Sequence, residues 1–218
     1  ALRGSESRLQ AADDIARLVA ELEGYAEIAP SAFPEDHPLH TVIASPEGVP
    51  FPPIVLLGSG QRSGVLAAER GRAFAAAYHF GPLESAKAIR AYQANFRPSA
   101  HLAEPYALAS VSVICAESQE LAEGLKLAGD LSQLRRLRQE RGPAPTIEEA
   151  RAYAFTAEDR EQLAPFTPIY GTPDHVARAL RTLAAELNAD ELILVINITD
   201  HALRRRSHEL IAAQMLDA

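Results

Sequence analysis

The sequence is poor in the groups that build several common kinds of site. Its 218 residues include one cysteine, so no internal disulfide can form. That residue, Cys115, lies in the apolar run Val111–Cys115 and reads as buried core rather than as a nucleophile. Positive charge is short as well. The net charge of −8 argues against nucleic acid as the main partner, because binding a phosphate backbone needs a basic face. No run of about 18 apolar residues is present, so no membrane-spanning helix is expected. With no signal-peptide pattern at the start, the expected location is a reducing cytoplasm. No pair of side chains has metal-ligand spacing, and no nucleophile–base arrangement is readable. Residue 1 is Ala rather than Met, which leads us to expect an upstream part of the gene product.

What is present describes an ordinary globular protein, 47% hydrophobic and 23% charged, long enough for one large domain or two small ones. The chain is organised around Pro52–Ala68, PPIVLLGSGQRSGVLAA. Ile54–Leu57 is a short apolar run without alternation, the pattern of a strand buried on both faces. Gly58-Ser59-Gly60 breaks it, and Val65–Ala68 begins a helical pattern. A strand, a glycine-rich turn and a helix form a βα unit, whose ligand place is the carboxyl end of the strand beside the free N–H groups of the helix. Ser59 and Ser63 add hydroxyls, so the turn could hold a phosphate. The alternative is a plain turn that needs glycine for its backbone angles. Gly58-x-Gly60-x-x-x-Gly64 misses the dinucleotide-binding spacing by one residue.

Around this unit the chain alternates. A helix is predicted over 1–25, followed by a proline-rich stretch, 26–53, with room for a short edge strand at Thr41–Ala44. Further strands are predicted at Arg72–Phe80, Tyr106–Ala116 and Glu191–Ile198. Helices are predicted at Leu83–Asn95, Ser118–Leu137 (with Ser118 as N-cap), Thr172-Pro173 to Leu187, and Ala202–Met215. Residues 142–167 are poorly patterned and read as an insertion with a short helix near Ile147–Tyr153. Four rounds of strand and helix with near-continuous apolar strands mean a parallel sheet, either doubly wound or part of a (β/α)₈ barrel.

Few other residues carry chemistry. His79 is the one candidate catalytic residue, at the strand end where barrel sites lie; the alternative is a hydrogen-bonded strand-end histidine. Asp190 and Glu191 precede a strand and belong to the opposite, stabilising end. Asp200 reads as a helix cap, and Arg204-Arg205-Arg206 mostly as solvated surface. His37 and His40 have no partner cluster.

Taken together, PPIVLLGSGQRSGVLAAERGRAFAAAYHF resembles the middle of the bacterial luciferase-like, flavin-dependent monooxygenases. The resemblance continues at Phe96–Ser99, Pro105–Leu108, Tyr170–Val176 and residues 189–210. It departs at Gly64, where the family pattern has Ala, a change expected to be sterically mild. The resemblance implies a TIM-barrel-like α/β domain over residues 1–218, with FMN as cofactor and its phosphate at Gly58, Ser59, Gly60 and Ser63. A deazaflavin would fit the same loop. It further implies molecular oxygen and a small organic substrate, with reduced flavin supplied by a reductase.

A full barrel has eight strands in roughly 250 residues. The match begins after the family's fourth strand, so the arginine-bearing segment and the usual catalytic histidine of the first half have no counterpart here. A fragment of a longer protein is the leading expectation. Two half-barrels covering each other's edges in a homo-oligomer, such as a dimer, and a non-catalytic flavin-binding or assembly module are the alternatives.

Overall fold

The computed structural model describes residues 10–26, 33–38, 40–42, 45, 46, 49 and 51–216. They fall in two compact units, Ala1–Ile54 and Val55–Ala218. In the first, helix α1 spans Gln10–Ala26 and runs past Gly24, the residue expected to end it. The His37 ring stacks on Phe33 at 4.5 Å, and His40 Nδ1 lies 2.9 Å from the Phe33 carbonyl. The edge strand expected at Thr41–Ala44 lies partly outside the described residues.

In the second unit strand β1 (Val55–Gly58) leads into α2 (Gln61–Glu69), and β2 (Ala73–Ala76) into α3 (Pro82–Asn95). The long strand β3 (Ala107–Cys115) is followed by α4 (Gln119–Leu137), α5 (Ile147–Ala152) and α6 (Ala157–Leu163). A short strand β4 (Ile169–Gly171), α7 (Pro173–Leu187), β5 (Glu191–Val195) and α8 (His201–Met215) complete it. All four pairings are parallel: β1 with β2, β2 with β3, β3 with β4 and β3 with β5. The order follows the chain without reversal, which overturns the doubly wound alternative. Right-handed crossovers in such a sheet place its helices on one side.

Register shows which side. Leu56, Phe74 and Ala107 are cross-strand neighbours, as are Ala76, Ala109 and Leu192, and all pack into the core with Ala67, Ile89, Tyr92 and Leu180 of the helices. The alternate residues Val55, Leu57, Ala75, Leu108, Ser110 and Ile193 point the other way. On that face Leu57 is 69% exposed, Val55 43% and Ile193 40%. The expectation that Ile54–Leu57 is buried on both faces is therefore corrected. Helices cover only one side of this sheet, and β1 is an edge strand pairing with β2 alone among the described residues. Five parallel strands, four of them (β1, β2, β3 and β5) side by side in chain order and β4 beside the top of β3, with helices on one face and an open inner face, make an α/β partial barrel.

Three boundaries also moved. Arg72–Phe80 is strand only over Ala73–Ala76, and Tyr78–Phe80 forms a 3₁₀ turn. Glu191–Ile198 stops at Val195. Strand β4 was not anticipated, because three residues are too short for a periodic signal; it exists by pairing with Val113–Cys115 at the top of β3.

The short helix expected near Ile147–Tyr153 is α5, and a second helix, α6, was not expected; both are capped in ways the sequence shows. Thr146 with Glu149 and Thr156 with Asp159 form reciprocal capping boxes. Asp159 is fully buried. Its carboxylate accepts from Thr156 N–H at 2.9 Å and from Arg138 Nη2 at 2.5 Å, while Arg138 Nη1 reaches the Tyr153 hydroxyl at 2.9 Å. The Thr156 backbone and hydroxyl, together with Arg138, hold this carboxyl below the ordinary carboxylate range against the opposing effect of burial. A lowered folded-state pKa contributes stability that is present at neutral pH and lost as pH falls through it. Melting temperature is expected to drop on acidification. In Asp159→Asn the neutral-pH value should be lower and the acid-dependent drop smaller, checked by thermal melts from about pH 7 to about pH 3.

Candidate functional site

The carboxyl ends of β1, β2, β3 and β5 form one edge of the sheet. Gly58 ends β1 opposite Ala76, and its carbonyl accepts from Ala77 N–H at 2.9 Å. Ser59 is exposed, Gly60 takes the N-cap place of α2 in extended geometry, and no side chain caps that helix. The Ser63 and Gly64 N–H groups turn back to the Gly60 carbonyl. Among the described residues the N–H groups of Ser59, Gly60 and Gln61 have no protein partner. Neither the Ser59 nor the Ser63 hydroxyl has a side-chain hydrogen bond there. Free backbone donors and hydroxyls at a helix N-terminus are the donor set an anion needs.

Two glycines have different reasons to be here. A Cβ at Gly58 would lie 2.4 Å from Ser63 Cβ and Oγ, so the Ser63 side chain closes over the Gly58 backbone. At Gly60 a Cβ would meet nothing within 4 Å, so that space lies open above the turn. An open place lined by free donors fits a phosphate group.

At the carboxyl ends of β3 and β5, bordered by the turn after β2, lies a cavity of about 870 Å³. His79 and Phe80 from the turn after β2, Ser112 of β3 and Asn197 after β5 form its floor. Helix α4 lines it as well, joined by Ala144–Ile147 and Phe166 of the insertion. Leu125, Gly129, Ser132, Gln133 and Arg136 recur at helical spacing on α4 and line it. Lys126 Nζ and Asp130 Oδ2 pair at 2.5 Å on the same helix, with the amine 5.9 Å from the Tyr170 ring centre. Burial pushes the Asp130 carboxyl up, and Lys126 opposes it.

The candidate residues divide accordingly. Gly58, Ser59, Gly60 and Ser63 share one turn, and His79 lines the cavity. Its ring packs on Phe80 at 4.1 Å, and Nδ1 lies 2.9 Å from Ser110 Oγ, so it is also the hydrogen-bonded strand-end histidine of the alternative reading. Asp200 caps α8 through Leu203 N–H at 2.9 Å. Arg204 donates to the Ile198 carbonyl and Arg206 pairs with Glu117. Asp190 and Glu191 lie at the other end of the sheet, holding Ala107 N–H and the Tyr106 hydroxyl. Cys115 is buried, and its thiol is pushed up to about 11.

Sequence reasoning missed Ser110, Lys126 and Asp130. The 126/130 pair has the i,i+4 spacing of a helical ion pair and was legible as such. That it faces a cavity was not, because the helix bearing it looks like any other amphipathic crossover until β4 and α5–α6 draw it over the strand ends.

The luciferase-like monooxygenase family profile matches residues 5–191. The chain belongs to the luciferase-like monooxygenase family. A luciferase-like monooxygenase of Escherichia coli K12 is 34% identical over 160 residues, 72% of this chain and 48% of that protein. The crystal structure of apo-MsnO8 superposes with a TM-score of 0.82 at 26% identity, covering 98% of this chain and 62% of the other. A more distant likeness, of fold alone, is the oxygenating constituent of 3,6-diketocamphane monooxygenase from Pseudomonas putida in complex with FMN. Its TM-score is 0.55 at 21% identity, covering 84% of this chain and 55% of that one. The chain thus spans about half to three fifths of the length of these three proteins. Among its described residues no helix is long and apolar enough to cross a membrane.

Gly64 is the family departure that the structure reinterprets. A Cβ there would lie 2.5 Å from the Ala88 backbone oxygen, so α2 and α3 approach closely through this glycine. The change is not sterically mild; the two helices are set for Gly.

Proposed function

We propose that this chain is the flavin-binding part of an oxidoreductase of the luciferase-like class. It would use reduced FMN and molecular oxygen on a small organic substrate, in the cytoplasm, with a reductase as flavin source. The observation that carries this reading is the β1–α2 turn, with three free N–H groups, two free hydroxyls and the open place at Gly60, at the same sheet edge as His79, which lines the cavity. The flavin phosphate would be held by Ser59, Gly60, Gln61 and Ser63, and the ring end would extend toward the cavity. Bound flavin would supply the electrons for reaction with oxygen. The residues of the chain hold the ring, present His79 to it or to the substrate, and use α4 to exclude water. A deazaflavin cofactor would use the same phosphate contacts. Residues 1–218 would belong to one barrel domain, and its open sheet edges favour self-association.

The test compares flavins that differ only in the phosphate. Charge-assisted hydrogen bonds are worth about 1.5–3 kcal/mol. FMN is therefore expected to quench or bind roughly ten- to a hundredfold more tightly than riboflavin, by fluorescence titration. Equal affinity for the two would reject the phosphate turn, and binding of neither would favour the non-catalytic assembly reading.

A further inference from the structure

Ser110 lies on the inner face of β3, 5% exposed, and its hydroxyl donates to the Ala76 carbonyl at 3.2 Å. A serine hydroxyl has one proton. With that proton on Ala76, the oxygen can only accept from the imidazole that approaches it. His79 Nδ1 lies 2.9 Å from Ser110 Oγ and 3.2 Å from the Ser110 carbonyl oxygen, which is itself an acceptor alone. Two acceptors converge on Nδ1, so Nδ1 carries the proton. In the neutral ring Nε2 is then a bare acceptor. Since Nδ1 is turned to β3 and His79 lines the cavity, the ring edge facing the cavity bears Nε2.

We propose that His79 Nε2 is the hydrogen-bond and proton acceptor of the cavity, and that Ser110 is the positioning residue that fixes it in that tautomer. The site would take a ligand that presents an O–H or N–H donor. This rests on the flavin reading for the identity of one possible donor, the N–H of the flavin ring; an organic substrate with a hydroxyl is the other. Free imidazole leaves the proton mobile between its two nitrogens, whereas the Ser110 pair removes that freedom. The Phe80 ring packs against the imidazole, with ring centres 4.1 Å apart.

The experiment is nitrogen-15 NMR of the histidine rings in the intact protein, with His79 assigned by His79→Gln. The expected result is an Nδ1–H ring with unprotonated Nε2. Ser110→Ala removes the nearer acceptor and keeps the residue 110 carbonyl, so the Nδ1–H population should fall to a mixture, and Ser110→Thr, which keeps the hydroxyl, should retain the single form. An Nε2–H ring in the unaltered protein would overturn the assignment, and a tautomer indifferent to Ser110→Ala would overturn the positioning role of the Ser110 hydroxyl. FMN and then phenol are added as probes. Movement of the Nε2 resonance with FMN makes the flavin ring the donor, and movement with phenol alone makes it the organic substrate. No response to either overturns the acceptor role. If FMN fails to bind while phenol moves the resonance, the flavin reading falls and the acceptor role stands.

Discussion

Gly60→Asp should make the protein more stable and its flavin binding weaker at the same time. Gly60 occupies the N-cap of α2 with φ −126° and ψ 160°, a conformation open to any residue, and no side chain caps the helix. A Cβ there meets nothing within 4 Å. Aspartate is a strong N-cap, and replacing glycine by it is worth a few tenths of a kcal/mol. Interaction of its carboxylate with the helix dipole contributes about 0.3–1 kcal/mol more. The same carboxylate would occupy the N–H donors and the open space assigned to the phosphate. Loss of those contacts, with like-charge repulsion added, should weaken FMN by about a hundredfold or more. Riboflavin affinity should change little. Denaturant midpoint and flavin titration on one preparation check both signs; weaker binding together with weaker folding would mean that the variant disturbs the fold, and unchanged FMN affinity would remove the turn from the binding site.

Gly64→Ala should destabilise the protein even though it introduces the residue that the family resemblance led us to expect there. In an exposed helix this substitution gains about 1 kcal/mol from backbone entropy. Here the new methyl group would lie 2.5 Å from Ala88 O and 3.5 Å from Tyr92 Cβ, where the nearest atom is backbone and cannot rotate away. Relief requires α2 and α3 to separate, opening the core around Tyr92 and Phe74, both fully buried. Overpacking of this kind costs about 1–3 kcal/mol, and more when backbone must move. A net loss of about 2 kcal/mol is expected, read as a lower denaturant midpoint at unchanged slope. Gly60→Ala is the control, since its methyl group has open space. Equal stability of Gly64→Ala and the unaltered protein would show that the helices adjust freely, and the close approach would then be without consequence.

Local patterning made much of this legible in advance. Apolar runs placed β2, β3 and β5, and the helix predicted at Leu83–Asn95 is α3. Ser118 marked the start of α4, and Thr172-Pro173 that of α7, though Thr172 takes the cap position without a side-chain bond. Gly58-Ser59-Gly60 stood out because a glycine-rich break between a strand and a helix has a specific physical meaning. These features rest on interactions within a few residues, so composition and order determine them.

The chain order of alternating strands and helices also determined that the sheet is parallel and placed His79 at its carboxyl edge. Tertiary structure alone decided the rest. Leu57 looks like core by composition, and its exposure follows from which face of the sheet the helices cover. Ile169–Gly171 is a strand only because β3 extends past its partners and offers free backbone groups there. The glycine at position 64 became a requirement through a helix 24 residues further along. The proton on His79 is set by Ser110, 31 residues away, whose own proton is committed to Ala76. Each of these depends on distances between segments remote in sequence, which residue identity and periodicity do not encode; they arise only when the packed sheet brings the segments together.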